Sequence, residues 1–182
     1  NKENMPFLSN NITKIIAAHA FDYDSYLINK RNEIGIMKKQ LYAIFIDQYI
    51  PYHTDNHRSG VEQVCNPDRY YSELNSFFSY FENKYKHISI KILAHPKSEY
   101  TNIKPYEERE ILYKNSAFHI QNSEIVFTHQ SIAINFAVLY NKPLVLLDSN
   151  GYTSRFRSDI KMISRVLGCQ SINLSKKYSV IN

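Results

Sequence analysis

Two stretches of this chain end strand-like apolar runs in polar corners, and they constrain the fold more than any other feature. The first, HISIKILAHPKS from His87 to Ser98, carries Ile88, Ile90, Ile92 and Leu93. A short β-rich apolar run of this kind suits a strand covered on both faces. It stops at Ala94-His95-Pro96, because a proline cannot continue a central ladder. The second, SEIVFTHQSIAINFAVLYNKPLVLLD from Ser123 to Asp148, has a run from Glu124 to Phe127 and a corner at Thr128-His129-Gln130-Ser131. Nearly every residue from Ile132 to Leu139 is apolar, which predicts a helix that begins near Ser131 and is buried almost all round. Asn141-Lys142-Pro143 ends it, and Leu144 to Leu147 forms the next strand. Strand, corner, helix, strand is a βαβ unit, and both polar corners fall at carboxyl ends of strands. In open parallel sheets that edge is where ligands bind.

The rest of the chain agrees with this pattern. Leu41 to Ile46 reads as a strand ending at Asp47. Asn66-Pro67 opens a helix well, with asparagine as N-cap and proline at the first position. Tyr70, Leu74, Phe77, Phe78, Phe81 and Tyr85 then recur at helical spacing and give an aromatic core face. Glu110 to Tyr113 reads as a short strand, and Asn115 or Ser116 caps a brief helix to Asn122. Phe156, Ile160, Ile163 and Leu167 mark a late helix stopped by Gly168, and Gln170 to Leu174 adds an edge strand. This alternation predicts an α/β chain with a Rossmann-like, doubly wound, mostly parallel sheet over residues 41–182. Residues 1–40 read as an N-terminal segment and connector: a polar start, an apolar run from Ile12 to Ala20, and a charged, helix-compatible stretch from Asn29 to Lys39. Because the chain starts at Asn1 rather than Met, a fragment of something longer is expected.

Composition narrows the function classes. No run reaches the roughly 18 apolar residues that a membrane span needs. The two cysteines, Cys65 and Cys169, match no zinc or redox spacing and read as reduced structural thiols of a cytosolic protein. A net charge of +5 suits anionic ligands or an anionic membrane surface. The basic residues are scattered, however, and no nucleic-acid motif is present, so nucleic acid is not an expected partner. The loop from Gln48 to Pro67 holds His53, Asp55 and His57, but without a recognised ligand spacing, and no metal site is assigned. Asp22 and Asp24, flanking Tyr23, are candidates for acid/base work, with a plain cap or turn as the other reading; Asp47 is a further candidate.

The corners suit a phosphate. A helix starting near Ser131 would direct unpaired N–H groups and its positive dipole end out of the sheet edge. Thr128, Gln130 and Ser131 add hydrogen-bonding groups there, although Ser131 as a simple N-cap fits this corner equally well. His95, with Pro96 and Lys97, would face the same cleft, where a histidine can donate to a phosphate or stabilise charge on a leaving phosphate.

The order of these elements resembles the C-terminal, nucleotide-binding half of a GT-B glycosyltransferase. Within that fold it is most similar to bacterial sialyltransferases and polysialyltransferases that use CMP-activated sugars. His95-Pro96 matches that family's His-Pro motif, and Gln130-Ser131 matches its later serine or serine/threonine motif in part. The wider wording, FIDQYIPYHTD and ILAHPKSEY, resembles bacterial surface-polysaccharide proteins over about Leu41 to Asp148. The resemblance implies a nucleotide-sugar donor as substrate and no other cofactor. It also implies a glycan acceptor, phosphate contacts from His95 and the serine motif, and a partner N-terminal domain. That domain would carry the acidic motif that is absent from these 182 residues. A cytoplasmic enzyme peripheral to the inner membrane is expected. Teichoic-acid-type polymerases acting on CDP-glycerol share a His-Pro element and a serine-rich helix start, so a glycerophosphotransferase domain is the alternative. A non-catalytic nucleotide-binding-like module is a third reading.

Overall fold

In a computed structural model, which describes residues 20–31, 40–53, 63–100 and 103–176, the strand-like runs line up as one six-stranded sheet. Every pairing in it is parallel. In chain order the elements are α1 (Phe21–Arg31), β1 (Leu41–Ile46), a 3-10 turn (Ile50–Tyr52) and α2 (Pro67–Lys84). Then come β2 (Ile88–Leu93), β3 (Ile111–Leu112), α3 (Ser116–Gln121), β4 (Val126–Thr128) and α4 (Ile134–Leu139). β5 (Leu144–Asp148), α5 (Ser154–Leu167) and β6 (Gln170–Asn173) complete the order. The strands lie as β3-β2-β1-β4-β5-β6. The chain winds outward from β1 in one direction and from β4 in the other, so the order reverses between them. This is the doubly wound, Rossmann-like α/β arrangement.

Local chemistry explains the elements that carry the core. Asn66 accepts the Arg69 N–H at 3.0 Å as N-cap, and Pro67 opens α2. The buried face of α2, Tyr70, Leu74, Phe77, Phe78 and Phe81, packs with Ala43, Phe45, Ile90, Ile92 and Phe127. Burying each such side chain contributes roughly 1.5–3 kcal/mol. The opposite alternation of the strands, Ile44, Ile46, Leu93 and Val126, meets Ala117 and Ile120 of α3 and Phe136 and Ala137 of α4. Arg157 of α5 pairs with Asp148, and the buried Phe156 and Ile160 of the same helix join the first cluster with Leu146 and Leu147. Gly168 ends α5 at φ 63°, a left-handed cap that glycine adopts without strain. α1 packs against α3 and α4, with Tyr26 and Tyr140 rings 5.0 Å apart.

The β2–β3 crossover has no helix among its described residues, and side chains do a helix's work there. Tyr100 and Tyr106 are buried in the α2-side core. Arg109 clasps this segment to α2: it donates to Glu82 Oε2 at 2.8 Å, Asn75 Oδ1 at 3.1 Å and Ser79 Oγ at 3.0 Å. Its guanidinium also lies over the Phe78 ring, and Glu82 Oε1 accepts the Ile90 N–H at 2.9 Å.

The expectations for β1, β2, α2, α3, α5 and β6 match the observed elements to within one or two residues. The helix after the second corner differs. It starts at Ile134, not near Ser131, and it is not buried all round: Ile132 is 82% exposed and Val138 55%. The physical reason is a local turn, because the Ser131 hydroxyl oxygen accepts the Ala133 N–H at 3.2 Å. The apolar run from Ile12 lies outside the described residues up to position 19, as do positions 32–39 of the connector. No helix of the described residues is long and apolar enough to cross a membrane.

Arg109→Met should lower stability by about 3 kcal/mol, the usual scale for breaking a mostly buried ion pair from one side. Urea unfolding followed by circular dichroism checks this, and a loss below 1 kcal/mol would show that the clasp is dispensable.

Candidate functional site

Three buried polar residues, Asp47, Thr128 and His129, lie at the carboxyl edge where the strand order reverses between β1 and β4. β1 runs into Asp47, which is 2% exposed. Its Oδ1 accepts the Tyr49 N–H at 2.8 Å and its Oδ2 accepts the Tyr100 hydroxyl at 2.5 Å. Burial pushes this carboxyl above the usual aspartate range, while the Tyr100 and Tyr49 hydrogen bonds and nearby His95 pull the other way. Tyr49 itself sits at φ 53°, in the left-handed region that a bulky aromatic residue rarely occupies. Strain of this sort at a sheet's ligand edge is a pointer to function. The turn it opens carries Ile50–Tyr52 and then His53.

The second loop leaves β2 after Leu93 and is shaped around His95. The His95 carbonyl accepts both the backbone N–H and the hydroxyl of Ser98, at 2.9 and 2.7 Å. Its Nδ1 accepts the Lys97 N–H at 3.2 Å, which leaves the neutral ring's proton on Nε2. The His53 and His95 rings meet edge to face with centroids 4.9 Å apart. Pro96 and the side chain of Lys97 are exposed at the rim.

The third loop, after β4, is tied inward. Thr128 is fully buried and donates to the Ile46 carbonyl at 3.3 Å. Gln48 grips the Gln130 backbone from across the reversal: its Oε1 accepts the Gln130 N–H at 2.8 Å and its Nε2 donates to the Gln130 carbonyl. His129 is fully buried; its Nδ1–H donates to the Leu147 carbonyl at 2.6 Å, and its Nε2 accepts from the Tyr70 hydroxyl at 3.2 Å. Burial depresses this imidazole to about 4, so it is neutral at physiological pH.

The sequence-predicted site residues therefore separate into three groups. His95, Pro96 and Lys97 lie on one side of the end of β1, and Thr128, Gln130 and Ser131 on the other. With strands spaced about 4.8 Å apart, the two corners are about 10 Å from each other across the sheet. They share the edge but are not adjacent, and Asp47 and Gln48 lie between them. Asp22 and Asp24 belong to the first turn of α1 on the α3–α4 side, where Asp22 accepts from Asn135 Nδ2 at 2.8 Å and Asp24 is exposed. Both carboxylates lie within the first helical turn of α1. Asp55 and His57 lie outside the described residues, and no cluster of three metal-ligating side chains occurs among the described ones.

Sequence reasoning missed four contributors. Gln48 and Tyr100 act through bonds to residues far along the chain. His129 looked like one more polar corner residue and is instead a core bond. His53 stood in a loop read only for metal spacing, and its ring meets that of His95. Comparison with protein-family models, with curated proteins and with solved structures finds no match for this chain.

The depressed His129 makes a signed prediction for stability. The unfolded histidine binds a proton near 6.5 and the folded one only near 4. The stabilisation is therefore complete above pH 6.5 and is lost as pH falls toward 4, by about 3 kcal/mol. Asp47, held above its ordinary range, contributes in the opposite direction at the acid end of that window. Denaturant unfolding from pH 8 to 4 should show the loss in the wild type. His129→Gln, which cannot titrate, should be less stable at pH 8 and should converge with the wild type near pH 4; parallel curves would refute the assignment.

Proposed function

We propose that this chain is the nucleotide-binding part of a bacterial surface-polysaccharide glycosyltransferase of the sialyltransferase-like GT-B kind, with a CMP-linked sugar as donor. The observation that carries this reading is position: the His-Pro element and the Gln130-Ser131 element flank the end of β1 where the strand order reverses. In open α/β sheets nucleotides bind in the crevice at that point. The His95 imidazole contributes Nε2–H to a donor phosphate and stabilises the charge that develops as the phosphate leaves. The glycan acceptor and the catalytic base come from a second, N-terminal domain, so that transfer takes place between two domains in a cytoplasmic, membrane-peripheral enzyme. Asp47 is held by Tyr49 and Tyr100 below the edge, and on this reading it shapes the loops and does not act as the base.

Titration calorimetry with CMP, CDP, UDP and GDP tests the proposal. CMP and CDP should bind more tightly than UDP and GDP. A charge-assisted hydrogen bond is typically worth about 1.5–3 kcal/mol, so His95→Ala should weaken CMP binding by roughly ten- to a hundredfold. Equal affinity for all four nucleotides would remove the cytidine preference. Tighter binding of CDP-glycerol than of CMP-sugars would shift the reading to a glycerophosphotransferase.

A further inference from the structure

Outside the cleft, α5 turns to solvent a face that the core does not use. Its inner positions Phe156 and Ile160 are buried, and the helix packs on β5 and β6. Arg155, Ser158, Lys161, Met162, Arg165 and Val166 are all exposed, and their spacing of three and four places them on one side of the helix. Two of them are large apolar side chains one turn apart, Met162 at 57% and Val166 at 76% exposure. Three are cations, and none of the three has a hydrogen bond or ion pair among the described residues. The fourth basic residue of the helix, Arg157, is by contrast paired with Asp148. Asp159, half-buried on the flank, is the one acidic residue of α5. At the end of the helix, Leu167 and the exposed Val138 of α4 border an open depression of about 580 Å³ lined also by Ala137, Pro143 and Leu144. Single exposed apolar side chains are ordinary. A helix face that sets two of them among unpaired cations is the pattern of a helix resting on an anionic lipid surface.

We infer that the outward face of α5 is a docking surface for anionic phospholipid. Met162 and Val166 enter the boundary between headgroups and acyl chains, and Arg155, Lys161 and Arg165 meet the lipid phosphates. The insertion is shallow, because the other side of α5 belongs to the core with Leu146 and Leu147. Long basic side chains suit such a position: their methylene stems lie along apolar surface while the charged ends stay among the headgroups. The net charge of +5 adds attraction to a negative surface at longer range. The inference rests on the membrane-peripheral part of the reading above and names the face that part requires; it makes no use of the nucleotide site.

The test sediments the full chain with vesicles of phosphatidylcholine alone and of an equal mixture with phosphatidylglycerol. Binding should require the anionic lipid and weaken as salt is raised. A basic residue close to an anionic surface contributes about fivefold, so Lys161→Gln combined with Arg165→Gln should weaken binding roughly twentyfold or more. Met162→Ser combined with Val166→Ser should weaken it roughly tenfold at unchanged charge. Lys86→Gln combined with Lys114→Gln removes exposed cations outside α5 and should stay within about threefold of the wild type. All these side chains are exposed, so circular dichroism should match the wild type throughout. Wild-type vesicle binding in both α5 variants would overturn the inference and leave membrane association to another face. Loss on charge removal with no effect of the Met162 and Val166 changes would also overturn it, since attraction without insertion needs no particular face. No binding of the wild type to anionic vesicles would defeat the inference and the membrane-peripheral reading together, while CMP affinity, measured alongside, bears on the nucleotide reading alone. A dimer seen by light scattering and abolished by the Met162 and Val166 changes would assign the face to a second copy of this chain instead.

Discussion

An uncharged imidazole lies at the centre of this molecule, and the carboxyl edge depends on it. His129 follows the last residue of β4 and reaches the Leu147 carbonyl of β5 with one nitrogen and the Tyr70 hydroxyl of α2 with the other. Three separate elements thereby share one rigid ring, which is packed edge-on against Phe45 and Tyr152. A charged ring could not accept from Tyr70, and its desolvation would outweigh the Leu147 carbonyl and the Asp148 charge that favour it. The sheet is short here, three residues in β4, so the ladder alone gives little grip. Side-chain bonds from His129, Thr128 and Gln48 extend the attachment of β4 to its neighbours beyond the last backbone pair.

The same edge is electrostatically uneven. On the β5 side, Asp148 is met by Arg157 at 3.0 Å, and Ser149 and Glu73 close a hydrogen-bonded network with Ser175. At the end of β1, the buried Asp47 interacts electrostatically with His95 of the loop after β2. The first region is internally satisfied. The second holds a carboxylate whose burial is costly, offset by two short hydrogen bonds and a neighbouring imidazole. Structural polar groups tend to be fully paired, and perturbed ones with a charge partner at a cleft tend to be functional.

Much of the fold could be read from the chain because its signals are local. Asn66-Pro67 with the aromatic periodicity of α2, the isoleucine run of β2 and the Gly168 stop each act within a few residues. The α4 start was misjudged because a serine hydroxyl can cap a helix or close a turn, and apolar content does not distinguish the two. The candidate site was legible only in part. His95 and the β4 corner announce themselves at strand ends, but which of their groups remain for a ligand depends on partners such as Gln48, which is 82 positions from Gln130. The convergence of His53 with His95 follows from the β1–β2 register and from the turn at Tyr49, neither of which leaves a pattern in the sequence.

The crossover between β2 and β3, which holds no helix among its described residues, has a mechanical consequence. Arg109 fastens the segment that carries Tyr106 to three residues of α2, and Tyr70 of the same helix holds His129. The segment after β2 and the loop after β4 are therefore mounted on one girder. A displacement of α2 along its axis would carry both together and preserve their spacing. The His95 loop is joined to that girder less directly, through Tyr100 and Asp47 on β1.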